Sequence, residues 1–261
     1  MTSWQSQPRQ LPKLKTSTQT LLPYNMTNNN EIHLSMAERI IDFNRGLTYS
    51  GQLPTGFAVL NPYTDNPETM EVMGAFYRKF YADNHRRRFI IGINPSRNGA
   101  GVTGVPFTDT KRLANECGIS MVSAHTHEVS SVFVYDMISQ YGGVSRFYKD
   151  FYINSPFPLA IVRADRSGKQ LNANYYDDPQ LFAMVKDFMI DSLRKHIGLN
   201  LDTSEVFILG KKNALFIQKL NKEAKLFDKM TVLEHPRYIE QYKSKDKQAY
   251  IDKYLSAFGC R

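Results

Sequence analysis

Apolar positions along the chain alternate between short solid runs and longer stripes at helical spacing. Residues 89–93 are almost wholly apolar, as expected of a parallel strand buried on both faces. Asn94-Pro95 ends that run, because proline cannot donate to a ladder and restricts the residue before it. Ser35-Met36-Ala37-Glu38 has the form of a capping box and opens a helix carrying Ile40, Ile41 and Phe43, which stops at Gly46. Asn66 and Pro67 start a second helix whose buried stripe is Met73, Phe76, Tyr77 and Phe80. Asp178 and Pro179 start a third, with Leu181, Met184, Val185 and Phe188 on its inner face and Gly198 at its end. The last helix carries Tyr250, Ile251, Tyr254, Leu255 and Phe258, and closes at Gly259. Further strands are expected at 159–162, 206–209 and 230–233, while 132–135 and 151–153 are too short to separate strand from helix. Strands alternating with helices give an α/β domain: three layers around a mainly parallel sheet.

Between the first strand and the next helix, residues 94–109 form a glycine-rich loop with Asn94 at one end and Phe107 at the other. Ligands of open α/β sheets bind beyond the carboxyl ends of the strands, so the site is expected here. Length changes little in this picture: 261 residues suit one domain with a large core, read as 31–261 behind a disordered basic tail over residues 1–30. Charge changes more. A net +8 and an isoelectric point near 9.3 point to a polyanionic partner. Arg86, Arg87, Arg88 and Arg97 flank the strand, Lys111 and Arg112 follow its loop, and a second concentration runs from Lys211 to Lys253. Cys117 and Cys260 make no metal-spaced pair, and a reducing, intracellular compartment is expected. His125 and His127 have metal-like spacing on an expected strand face but no third ligand, so they read as structural, with no metal and no cofactor expected. No stretch approaches the ~20 apolar residues of a membrane span.

The loop carries a resemblance. Gly92-Ile93-Asn94-Pro95, then Gly99-Ala100, then Thr103-Gly104-Val105-Pro106-Phe107, resembles the first motif of the uracil-DNA glycosylase superfamily, with Phe107 thirteen positions after Asn94. The nearest likeness is to the single-strand-selective monofunctional branch. Glu128-Val129-Ser130-Ser131 resembles that branch's Glu-Val-Ser-Gly segment, Asn154 stands near a Pro-Leu as in the branch, and Leu233-Glu234-His235-Pro236 resembles the start of the second motif. Two departures stand out: Ser96 replaces a glycine, and the family's His-Pro-Ser-Pro-Arg is shortened to His235-Pro236-Arg237.

The resemblance implies a central four-stranded sheet and a monomeric DNA-repair glycosylase, cytoplasmic and nucleoid-associated in a bacterium. It implies removal of uracil, with related deaminated or oxidised bases as further candidates, by hydrolysis of the glycosidic bond after base flipping. Phe107 would stack on the base, Asn154 would read its edge, Asn94 would position water, and His235 would donate a hydrogen bond to the departing anion. Gly92, Ile93, Pro95, Ser96, Gly104 and Val105 would complete the base pocket. Arg97, Lys111, Lys211, Arg237 and Tyr238 would meet DNA, with Arg237 or Tyr238 filling the gap left by the flipped nucleotide. Absence of a lysine from the matched positions implies a monofunctional enzyme. Two rivals remain. A non-enzymatic nucleic-acid-binding domain explains the charge but not the loop. Gly99-Ala100-Gly101-Val102-Thr103-Gly104 also fits the dinucleotide fingerprint, although five residues separate it from the strand.

Overall fold

The computed structural model describes residues 34–260, so the expected tail over residues 1–30 lies outside the described residues. The apolar run ahead of Asn94 forms the strand Arg87–Ile91, an inner member of a four-stranded sheet. Among the described residues the strands in chain order are β1 (Phe57–Leu60), β2 (Arg87–Ile91), β3 (Phe151–Asn154), β4 (Ala160–Ala164), β5 (Gln170–Ala173), β6 (Leu201–Leu209) and β7 (Lys229–Leu233). The helices are α1 (Met36–Arg45), α2 (Pro62–Asp65), α3 (Pro67–Phe80), α4 (Ala100–Thr103), α5 (Thr110–Asn115), α6 (Val129–Tyr141), α7 (Val144–Asp150), α8 (Pro179–Ile197), α9 (Lys211–Ala224), α10 (Pro236–Tyr242) and α11 (Lys247–Ala257).

The main sheet has the order β3-β2-β6-β7, and every neighbouring pair is parallel. Its two faces are covered by different helices. Phe89 and Tyr152 pack against His196 of α8, while Phe151 and Phe207 pack against Phe258 at the end of α11. Alternation along a strand puts those two sets on opposite faces, which gives the expected three layers. The helix starts follow the predicted chemistry. Ser35 accepts from the Glu38 N–H, Asn66 from Glu68, and Asp178 from Gln180 and Leu181.

Two stretches that the sequence left open are assigned, and two details differ from expectation. Residues 132–135 belong to α6. That helix is buried nearly all round, including Phe133, Val134, Met137 and Ile138, so it shows no polar face to betray its period. Residues 151–153 are β3, buried throughout at the edge of the main sheet. Residues 159–162 run into β4, which lies in a second, antiparallel sheet of order β1-β4-β5 rather than in the main one. Met184 points outward from α8, and Met189 takes the buried place.

Candidate active site

All four strands of the main sheet run the same way, so β2, β3 and β7 deliver their last residues to one end. Asn94 follows β2, Asn154 ends β3, and His235 follows β7. The Gly92 N–H donates to the Asn154 carbonyl at 2.8 Å and holds the first two ends together. Together with Phe107 these residues line one cavity of about 170 Å³, whose walls also include Pro95, Ser96, Glu128, Asn172 and Arg237.

Phe107 reaches the cavity through a tight loop. Thr103, at the end of the four-residue α4, is fully buried and donates from Oγ1 to the Thr108 carbonyl at 2.6 Å. Phe107 itself has φ 54°, a left-handed backbone rare for a bulky residue and a sign of conformational strain held by its surroundings. Its ring lies over Gly92, where an added Cβ would come within 3.1 Å of it. The ring centroid is 5.9 Å from that of His235.

Asn94 is clamped from the end of the second sheet and the turn that follows it. Its Nδ2 donates to the Ala173 carbonyl at 3.0 Å, and its Oδ1 accepts from the Tyr175 N–H at 3.2 Å. The Tyr175 hydroxyl donates to buried Asn213, whose Nδ2 donates in turn to the Gly92 and Leu209 carbonyls, both at 3.1 Å. The ends of β2 and β6 are thereby tied to the segment that holds Asn94. Asn154 donates to the Tyr152 hydroxyl at 2.7 Å and accepts from the Ser155 N–H at 2.8 Å. Each end of its amide keeps one hydrogen-bonding valence free.

His235 caps α10. Its Nδ1 accepts from the Arg237 N–H at 3.2 Å, which places the ring proton on Nε2. Enclosure, and then the nearby Arg237 guanidinium, lower its pKa to about 4, so the ring is a neutral donor at ordinary pH. Glu128 is the one acidic residue among those lining the cavity. Its Oε1 accepts from the Ser96 hydroxyl at 3.0 Å, while Oε2 is sealed and has no partner. Desolvation pushes the carboxyl up to about 7; the Ser96 hydrogen bond and Arg237 oppose the rise, and Asp109 adds to it.

The structure brings Gly92, Ile93, Asn94, Pro95, Ser96, Phe107, Asn154, His235 and Arg237 together around the cavity. It does not bring the others. Gly104 and Val105 are buried behind the loop, where Gly104 takes φ 70° beneath Tyr63 and Met73, so they support the pocket without lining it. Lys111 lines a separate shallow groove with His125 and His127. Those histidines sit in an irregular segment rather than on a strand face, and His127 lies beside Asp109. Arg97, Lys211 and Tyr238 lie outside the cavity wall, with Tyr238 44% exposed. The glycines of the dinucleotide fingerprint are used for packing: Gly99 lies under the Glu128 carboxyl, Gly101 against the Ser96 carbonyl, and Gly104 against α3.

The sequence offered no signal for Tyr175, Asn213 or the stretch 172–174, because each acts through tertiary contact alone. Glu128 was visible only as part of a matched segment.

Comparison with known proteins agrees with this geometry. Residues 78–259 match the family model of the Uracil DNA glycosylase superfamily. The crystal structure of wild-type SMUG2 from Pedobacter heparinus is similar at 47% identity over 87% of this chain and 97% of that one, with a TM-score of 0.84. No curated protein matches the chain. By sequence along most of its described length and by the architecture of its sheet and loop, the chain belongs to the uracil DNA glycosylase superfamily.

Proposed function

We propose that this protein removes uracil from DNA by hydrolysing the bond between the base and its sugar. The observation that carries the reading is the convergence of Asn94, Phe107, Asn154 and His235 on one small cavity at the carboxyl end of the parallel sheet. A base held there must first leave the helical stack, which costs roughly a few kcal/mol. Phe107 offers it a flat apolar face, and the free valences of Asn154 suit the alternating donor and acceptor of the uracil edge. His235 presents Nε2–H to the negative charge that grows on the base as the bond breaks. That is electrostatic stabilisation by a preset donor, without proton transfer. Asn94 is held at both ends of its amide, so a water on its remaining oxygen lone pair would be placed rigidly.

No lysine is among the residues lining the cavity, so a covalent Schiff-base intermediate has no candidate nucleophile there. The reaction is therefore hydrolytic and leaves an intact strand with an abasic site.

The test is uracil release from matched single- and double-stranded oligonucleotides, with EDTA present and alkali cleavage as the readout. The wild type is expected to release uracil, and Asn94→Ala to lose about 10²–10³-fold in rate, as for removal of one preset polar group. Cleavage of the strand without alkali would overturn the monofunctional reading. A wild type that binds DNA and releases no base would leave a binding module.

A further inference from the structure

Hydrolysis of a glycosidic bond leaves two demands that the proposed residues do not meet. The sugar becomes cationic as the base departs, and the attacking water must lose a proton. Asn94 carries no charge and is a poor base, and His235 keeps its ring proton on the nitrogen facing the base. The cavity nevertheless holds one carboxyl, that of Glu128.

We propose that Ser96 and Glu128 form the proton-accepting side of this site, the serine hydroxyl relaying a proton from the attacking water to the carboxylate. The proposal rests on the reading of the cavity as a glycosidase site. Ser96 stands two residues after Asn94, lines the same cavity and already donates to Glu128 Oε1 at 3.0 Å. Its oxygen keeps lone pairs for a donor on the other side, which is what a relay requires.

The carboxyl is held in a costly position. It caps α6 without bonding to the helix N–H groups, forms no ion pair among the described residues, and leaves Oε2 buried with no partner. Gly99 makes room for it: a Cβ there would come within 1.9 Å of Oε2. A desolvated, unpaired carboxyl beside a cleft is a marker of chemistry more often than of stability.

Atoms and charge balance as follows. The sugar–base bond breaks with its electron pair going to the base, whose charge His235 Nε2–H stabilises. The water oxygen bonds to the sugar carbon. The water proton passes to Ser96 Oγ as the serine proton passes to Glu128 Oε1, leaving a neutral carboxylic acid. That acid returns its proton to solvent, or to the base anion, as products leave. Before this transfer, the carboxylate charge also stabilises the sugar cation across a poorly solvated space.

The charged groups facing Glu128 are Asp109 from the start of α5 and Arg237 from α10; Arg112 and His127 pair with Asp109, and His235 stands on the cavity wall. The relay needs the carboxylate ionised, so kcat/KM should fall as pH drops below about 7. Protonation of His235 cannot cause that limb, since its ring stays neutral down to about 4.

The experiment is uracil release by the wild type, Glu128→Gln and Ser96→Ala as a function of pH, with DNA binding and Tm measured beside it. Glu128→Gln should release uracil about 10²-fold more slowly above pH 7, the typical contribution of a positioned base, and should lose the acid limb while still binding DNA. Ser96→Ala should be about 10-fold slower. Its acid limb should move to higher pH, because the hydrogen bond that lowers the carboxyl pKa is gone. Should Glu128→Gln fail to fold, the direction of the Ser96→Ala shift decides the matter alone. A Glu128→Gln enzyme with the wild-type rate and limb, or an unmoved limb in Ser96→Ala, would remove the relay and leave the glycosylase reading intact. No release by the wild type would remove both.

Discussion

The Glu128 carboxyl has the same physical origin for its chemistry and for its cost. A buried acid whose pKa is pushed up to about 7 is stabilised by the fold in its protonated form. Folding stability tied to this group is therefore fully present below the ordinary carboxylate range. It declines as pH rises toward 7, and above that the penalty is constant. The displacement corresponds to about 3 kcal/mol as an upper figure. Glu128→Gln removes the charge while keeping the shape, so at pH 8 it is expected to raise Tm by about 3–6 °C. Near pH 4, below the ordinary carboxylate value of 4.5, the two proteins should melt together. Thermal scans at the two pH values check this, and a variant that is less stable at both would mean that the carboxylate is well solvated. A substitution that stabilises the fold while slowing catalysis is the expected trade at a site built around a strained or desolvated group.

Two glycines of the first motif separate holding an element from shaping the cavity. Gly104 ends α4 with φ 70°, and an added Cβ would come within 2.9 Å of the Tyr63 ring and 3.1 Å of Met73 Cβ. Gly104→Ala should cost about 2 kcal/mol, or roughly 4–8 °C in Tm, through backbone strain and crowding. Gly92 has an unremarkable backbone, but its Cβ would meet the Phe107 ring at 3.1 Å. Gly92→Ala should therefore hardly change Tm and should slow uracil release by displacing the stacking ring. Melting curves and release rates on both variants give the pattern, and equal effects of both on Tm would refute it. The sequence alone placed both glycines in the pocket, because a motif records spacing and not which residues face inward. It read the capped helices α1, α3 and α8 well, since their start signals are local. It missed β1 and β5, whose residues gain meaning only when β4 pairs with them. The end of that second sheet and the turn after it supply the Ala173 and Tyr175 groups that clamp Asn94, so these hydrogen bonds were invisible for the same reason.

Across the whole molecule, the distribution of charge is narrower than the net +8 suggests. The arginine run at 86–88 sits at the start of β2, the end of the sheet away from the cavity, and is already occupied. Arg86 pairs with Asp202 at 3.2 Å and buried Arg87 with Asp83 at 2.8 Å, while Arg88 donates to the Phe258 carbonyl at 2.7 Å. Part of the lysine concentration in the second half is paired too: Lys212 with Asp177, Lys229 with Glu205, Lys247 with Asp136, and Lys253 with Glu234. Arg97, Lys211 and Arg237 form no ion pair among the described residues. Arg97 and Arg237 follow β2 and β7, whose ends build the cavity, and Lys211 follows β6 at the same end of the sheet. A nucleic acid entering the site would meet these three, and each phosphate neutralised releases condensed counterions. Arg237→Ala and Lys211→Ala are accordingly expected to weaken DNA binding and to flatten the dependence of log affinity on log salt by about 1 each. Arg86→Ala should leave that slope unchanged despite removing the same charge. Fluorescence anisotropy over a salt series distinguishes the cases. If Arg86→Ala flattens the slope as much as Arg237→Ala, the DNA crosses both ends of the sheet, and net charge rather than its placement governs binding.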